Sequence, residues 1–479
     1  MNKSAILFVL LVISVGGLKA QAPLPLYPVP SAEQLAWHEM EMNAFIHFTI
    51  NTFTDLEWGM GSEPESLFNP VQANPDQWVR ALREAGFKGV ILTCKHHDGF
   101  CLWPSKYTEH DIANSPFKNG KGDLVKEVSD ACKKYGLKFG VYLSPWDRNQ
   151  VTYGKPEYIT YYRNQLTELF TQYGPVFEMW FDGANGGTGY YGGANERRTI
   201  DGKTYYDWPN TLQMIRKMEP GVIFFSDAGP GVRWVGNESG IAGETNWCTI
   251  TSDTLYAGKP GIEKLLNEGS PHGKQWIPAE TDVSIRPGWF WHEKENDKVK
   301  SAEELFNIYL TSVGRGSTLL LNVPPDRRGL IHEIDVESLR NFRLLLDSVF
   351  RNNLALNVPV KASSYRNNTD EFSPGKIADG NKDSYWTTND NVTKGSIEMD
   401  LDGNKKISYI VLQEYIKLGQ RVSEFSLEAF NGSEWMPLYT GTTIGYKRII
   451  KIDPVPASKI RVNILKSKAC PVISNVEVY

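Results

Sequence analysis

The chain is 479 residues long, more than one ordinary core accommodates, so at least two domains are expected. Hydrophobic residues make up 41% and charged residues 22%, the balance of a water-soluble globular protein. A net charge of -5 gives no basic surface for a polyanion, so nucleic acid is not an expected partner.

The first 20 residues read as an export signal. Lys3 precedes the apolar run AILFVLLVISVGG, and LKAQ offers a cleavage site after Ala20. The run is too short to span a bilayer and no cysteine follows it to carry a lipid, so no membrane anchor is expected. The mature chain is therefore expected to be secreted or periplasmic. The five cysteines (Cys94, Cys101, Cys132, Cys248, Cys470) have neither the spacing of a disulfide framework nor that of a CxxC metal site.

From there, apolar runs of strand length alternate with helical patterns. The runs are AFIHF (44–48), GVILT (89–93), FGVYLS (139–144), VFEMWF (176–181), VIFFS (222–226), TNWCTI (245–250), QWIPAE (275–280) and STLLLNV (317–323). Helical periodicity marks 75–86, 122–136, 156–174, 208–221 and 301–314, with Asp123 and Ser301 as N-caps and Gly136 and Gly221 as stops. Eight strands alternating with helices predict an α/β fold, a (β/α)8-like barrel over residues 21–350. An open doubly wound sheet is the alternative, but no GxGxxG follows the first strand. After about residue 350 helical periodicity gives way to short alternating runs, which predict an all-β sandwich over 351–479.

Barrel chemistry collects at the C-terminal ends of the strands. Those ends carry His47, then His96 and His97 in KHHDGF, Tyr142 with Trp146, and Asp182. Beyond them lie SDAGPGVRWVGNE (226–238), read as the loop after strand five, and AETDVSIRPGWFWHE (279–293), after strand seven. Adjacent histidines on a strand point to opposite faces, which is poor geometry for zinc, and no serine sits in a GxSxG setting. Two carboxylates in an aromatic-lined pocket instead suit glycoside hydrolysis without metal or cofactor, with rings covering the sugar and His and Arg donating to its hydroxyls.

The pieces FIHFTINTF, LEWG, TCKHHDGFCLWPSKYT, GVYLSPWDR, MWFDGANG, RWVGNE and GSTLLLNVPPDRRG together resemble the α-L-fucosidases of glycoside hydrolase family 29. That resemblance implies a retaining exo-fucosidase acting on fucosylated oligosaccharides or glycoconjugates, with Asp182 as nucleophile. His47, Glu57, Trp58, His96, His97, Tyr142, Arg233 and Trp289 are the implied substrate-binding groups. RWVGNE resembles the subgroup that cleaves α-1,3/1,4-fucosyl bonds in Lewis-type glycans, which makes Glu238 the acid/base, Glu244 the runner-up and Glu280 a more distant third. The loop 186–208, with Tyr190, Tyr191 and Glu196, is a candidate for contacts beyond fucose. KASSYRNNTDEFSPGKIADGNKDSYWTTND resembles the opening of galactose-binding-like, discoidin-type (F5/8 type C) sandwiches, related to family 32 carbohydrate-binding modules. A non-catalytic glycan-binding protein on the same barrel is the alternative from a different class.

Overall fold

The computed structural model describes residues 21–479; the predicted export signal lies outside the described residues. Eight parallel strands close into a barrel: β1 (Met42–Ile46), β2 (Gly89–Lys95), β3 (Lys138–Leu143), β4 (Glu178–Trp180), β5 (Ile223–Ser226), β6 (Val232–Trp234), β7 (Ala279–Ser284) and β8 (Thr318–Asn322). Each pairs with its sequence neighbours, and β8 closes on β1 through Met42↔Leu319. The predicted helices form around the barrel for the expected local reasons. Asp123 caps Leu124–Tyr135 by accepting from the Lys126 amide, and Ser301 with Glu304 makes a reciprocal capping box on Ala302–Thr311.

Two strands differ from the sequence reading. TNWCTI contributes only a two-residue antiparallel pair outside the barrel, Thr249–Ile250 with Gln275–Trp276, and of QWIPAE only Ala279 and Glu280 enter the barrel. The sixth barrel strand is Val232–Trp234, joined to β5 by residues 227–231 with no helix between. Gly229, at φ 97°, makes the tight link, and the Gly231 amide donates to Phe224 O. The seventh strand begins near the predicted end of its run and continues to Ser284.

The barrel interior is aromatic and apolar, formed by Trp37, Phe45, Ile91, Tyr142, Trp180, Ile223, Phe225, Val232 and Leu320. Trp37 reaches the bottom from helix α1 (Ala32–His38). After the last barrel helix, Glu333–Val349, the chain becomes an antiparallel β-sandwich. Its two 20-residue strands, Gly395–Glu414 and Arg448–Ser467, pair along most of their length with register shifts that bend them. Trp386 of the DG-x5-W element is fully buried there and donates to Ser364 O, so it packs the sandwich. The domains also bond directly: Gln420 accepts from the Cys248 amide and donates to Asn246 O, and the Ile449 amide donates to Gly314 O. All five cysteines are buried free thiols. No helix among the described residues is long and apolar enough to cross a membrane.

Candidate active site

A cavity of about 460 Å³ opens at the C-terminal end of the barrel strands, within the size range of small-ligand sites. His47, Glu57, Trp58, His96, His97, Asp182, Glu238 and Trp289 all line it, so the structure brings eight of the ten predicted site residues together.

Asp182 stands just past the end of β4. Its Oδ1 accepts from the Ala184 amide, two residues along the chain, at 2.7 Å, and its Oδ2 accepts from the Tyr142 hydroxyl at 3.0 Å. Tyr142 is fully buried behind the carboxylate rather than on the cavity wall. The sequence reading made Tyr142 a sugar contact; the structure makes it a support for Asp182.

The three histidines are oriented from behind. His47 Nδ1 meets Asn322 Oδ1 at 2.9 Å, while Asn322 Nδ2 donates to Ser284 Oγ and Trp289 O. This pattern assigns the proton to His47 Nδ1 and leaves Nε2 as an acceptor. Burial pushes the His47 imidazolium down to about 3, so the ring is neutral. His97 Nδ1 contacts Ser144 Oγ at 2.7 Å, and its Nε2 stands 3.8 Å from Asp182 Oδ2. That gap exceeds a hydrogen bond, so the two groups are neighbours rather than partners. His96 Nδ1 is buried without a protein partner, and burial holds this ring well below its ordinary pKa too.

Glu238 follows β6 at the cavity mouth, where Trp289 Nε1 donates to its Oε2 at 3.2 Å. Partial burial raises its pKa, helped by the charges of Asp182 and Glu57, while the Trp289 bond lowers it. Glu57 is itself held by the Trp289 amide at 2.9 Å and by His292 at 2.6 Å, so it fixes the segment that carries Trp289. Of the three neighbouring aromatics, only Trp289 lines the cavity; Phe290 is buried behind it against His47 and His96, and Trp291 is buried beside His332. Trp58 is 52% exposed and meets His97 edge-on.

Arg233 is a correction. It is fully buried, away from the cavity, and donates to Leu266 O, Ile277 O, Asn246 Oδ1 and Trp247 O. The neighbours Val232 and Trp234 face the barrel interior, so the side chain between them points outward. Glu244 is exposed and engaged by Arg315 at 3.3 Å, outside the cavity. Glu280 is buried in the barrel core. Tyr191 is fully buried, accepting from Trp146 Nε1 at 2.9 Å, so it braces a tryptophan rather than reaching outward. Glu196 is exposed and pairs with Arg198.

The structure adds residues that the motifs did not indicate. Trp180 forms the cavity floor, stacked on Phe225 at 3.9 Å. Asp227 and Asp282 line the walls. Burial raises Asp227 to about 6, with the Asp182 charge adding to the effect. Burial and the Glu238 charge raise Asp282 well above the usual carboxylate range, and it accepts from Trp234 Nε1 at 2.9 Å. Period-two counting back from Asp182 would have found Trp180. Among the described residues, no cluster of three or more His, Cys, Asp or Glu is arranged to hold a metal ion.

A closed barrel with carboxyls and aromatics converging on its C-terminal rim defines a glycoside hydrolase type of site. Residues 25–346 match the family described as Alpha-L-fucosidase, and residues 359–478 match the F5/8 type C domain. Alpha-L-fucosidase 1 of Arabidopsis thaliana is 40% identical over 466 residues, covering 95% of this chain and 88% of the relative. A solved glycoside hydrolase 29 family member from an unknown rumen bacterium is 44% identical, with TM-score 0.85, covering 96% of this chain and 78% of that one. A Ruminococcus gnavus GH29 fucosidase, solved in complex with fucose, is 34% identical, with TM-score 0.87 and 96% coverage of both chains. The chain belongs to the alpha-L-fucosidase family, glycoside hydrolase family 29, and is an alpha-L-fucosidase with a C-terminal F5/8 type C domain.

Proposed function

We propose that this enzyme is exported and removes terminal α-1,3/1,4-linked fucose from branched, Lewis-type glycans by a retaining double displacement. Asp182 attacks the anomeric carbon and forms a covalent fucosyl ester. Glu238 gives its proton to the departing oxygen, then takes one from the water that hydrolyses the ester. His47, His96 and His97 meet the sugar hydroxyls, and Trp58, Trp180 and Trp289 surround its ring. The observation that carries the mechanism is the contrast between the candidate acids. Glu238 shares the cavity with Asp182 and has its pKa raised, as a proton donor requires, whereas Glu244 lies outside, engaged by Arg315. The linkage assignment rests on the RWVGNE resemblance.

The test compares Glu238→Ala with Glu244→Ala on a Lewis trisaccharide and on an activated aryl α-L-fucoside. A poor leaving group needs the proton most. Glu238→Ala should nearly abolish trisaccharide cleavage, slow the aryl substrate far less, and recover on that substrate with azide. Azide rescue of Glu244→Ala alone would exchange the two roles. Wild-type enzyme that cleaves only the aryl substrate would leave a relaxed fucosidase in place of the Lewis-type assignment.

A further inference from the structure

Beneath the cavity floor lie two acids that the reaction does not use. Glu178 on β4 and Glu280 on β7 reach into the barrel interior from strands that are not neighbours, and both are 0% exposed. Glu178 Oε2 accepts from Trp37 Nε1 at 3.0 Å, and Glu280 Oε1 accepts from Trp180 Nε1 at 2.9 Å. The remaining oxygens, Glu178 Oε1 and Glu280 Oε2, find no protein donor, and the Glu178 charge adds to burial in holding Glu280 well above the usual carboxylate range. The surroundings supply no compensating cation. Helix α1 contributes Trp37 and His38, the latter neutral because burial lowers it to about 3. β5, β6 and β8 contribute Ile223, Val232 and Leu320; Thr318 lies beside Glu280 in register. Tyr142 on β3 is engaged by Asp182, and Asp282, next inward on β7, has its own carboxyl raised.

Two carboxylates side by side in a fully buried interior are untenable, and two carboxylic acids leave one acidic hydrogen without use. One proton between them satisfies every atom: each carboxyl takes one indole N–H, and the inner oxygens share an O–H···O bond. We propose that Glu178 and Glu280 form a one-proton pair that acts as a positioning device, fixing Trp180 as the floor of the fucose site. Neither acid touches the cavity. They act through the Trp180 indole, which is clamped between the Glu280 bond below and the Phe225 stack beside it.

The arrangement makes an unusual prediction for amide replacements. Glutamine at either position offers a carbonyl to its indole and an N–H₂ to the opposite carboxylate, reproducing the one-proton state. Glutamine at both sets N–H₂ against N–H₂ and leaves no acceptor between them. The test measures kcat/KM on an aryl α-L-fucoside at about pH 6, together with unfolding midpoints from about pH 5 to about pH 8. Glu280→Gln and Glu178→Gln should each keep kcat/KM within about 3-fold, whereas Glu280→Ala, which frees Trp180, should lose about 10-fold or more, mainly through KM. The double Gln variant should be far worse than the product of the singles.

The pH response adds a second readout. Burial raises both carboxyls, so the pair keeps its shared proton above the pH at which an unfolded glutamate loses it. An acid raised above its unfolded value contributes stability that is present at low pH and lost as pH climbs from the unfolded toward the folded pKa. The wild-type midpoint should therefore fall across that window. Glu280→Gln, whose pair holds one negative charge throughout, should fall roughly half as much or less. Other raised acids contribute equally to both proteins. The proposal is overturned if Glu280→Gln is as damaged as Glu280→Ala, if the double Gln variant is merely additive, or if the pH slope does not change.

Discussion

Deleting the Trp289 indole N–H should move the titration of Glu238 in a defined direction. This donor sits 3.2 Å from Glu238 Oε2 and stabilises the charged form, opposing the rise caused by partial burial and by the charges of Asp182 and Glu57. Trp289→Phe keeps an aromatic wall and removes the donor. A hydrogen bond to a charged group contributes about 1.5–3 kcal/mol. At this exposed mouth water replaces most of it, leaving about 0.5–1 kcal/mol. At 1.36 kcal/mol per pKa unit, the shift is about 0.4–0.7 unit upward.

The sign follows from the role of the group. Glu238 must be protonated to donate in the first step, so kcat/KM falls as pH rises through its pKa. Raising that pKa moves the alkaline limb to higher pH. The assay is a kcat/KM profile on an aryl α-L-fucoside, from about pH 4 to about pH 9. KM will change as well, because Trp289 lines the cavity, but the position of the limb reports ionisation in the free enzyme. A limb that stays put or moves down would refute both the assigned hydrogen bond and Glu238 as the acid that sets it.

Asp182→Asn should retain the fold and lose about 10³-fold or more in kcat on aryl and natural substrates alike, because the amide cannot attack. Early-time NMR of the wild-type reaction should show α-fucose before β-fucose, as two inversions require, with the Asp182 and Glu238 carboxyls about 5–5.5 Å apart in a ligand complex. Arg233→Met should lower the unfolding free energy by about 3 kcal/mol or more, because it strands several buried carbonyls, while the folded fraction keeps a near-normal KM. Asn322→Leu, which removes the acceptor fixing His47, should raise KM for fucosides about 10-fold with a smaller change in kcat.

Much of the barrel was legible because its apolar runs and helices have clean periods and caps. The exceptions share one physical cause. Parallel strands normally need a crossover of a dozen residues or more, yet only residues 227–231 separate β5 from β6. A three-residue strand with so short a link reads as loop, so VRW was placed on the rim. That error carried Arg233 into the site, and the strand-like TNWCTI then filled the vacant sixth place. The shortened reading of the seventh strand similarly hid Asp282, which lies two residues past its predicted end. The KHHDGF and WFDG residues were legible because their side chains sit where strands end, independent of the missing crossover. The motif marks Tyr142 as part of the site, but only three dimensions reveal that its hydroxyl supports Asp182.

The site can be understood as one period-two pattern repeated at different depths. On β4 and just beyond it, Glu178, Trp180 and Asp182 face inward at three levels, and on β7 Glu280 and Asp282 do the same. Acid alternating with an aromatic puts identical chemistry in dissimilar surroundings. At the bottom, fully buried and with no cation beside it, a carboxyl is tolerated by holding a proton jointly with another. At the top, the Ala184 amide and the Tyr142 hydroxyl satisfy Asp182 while its open side faces the cavity. Trp180 separates these levels and bonds downward to Glu280, so the core acid pair and the reacting acid are mechanically linked through one indole. A carboxylate placed in a barrel therefore acquires its role from depth and from its donors, which residue type alone does not specify.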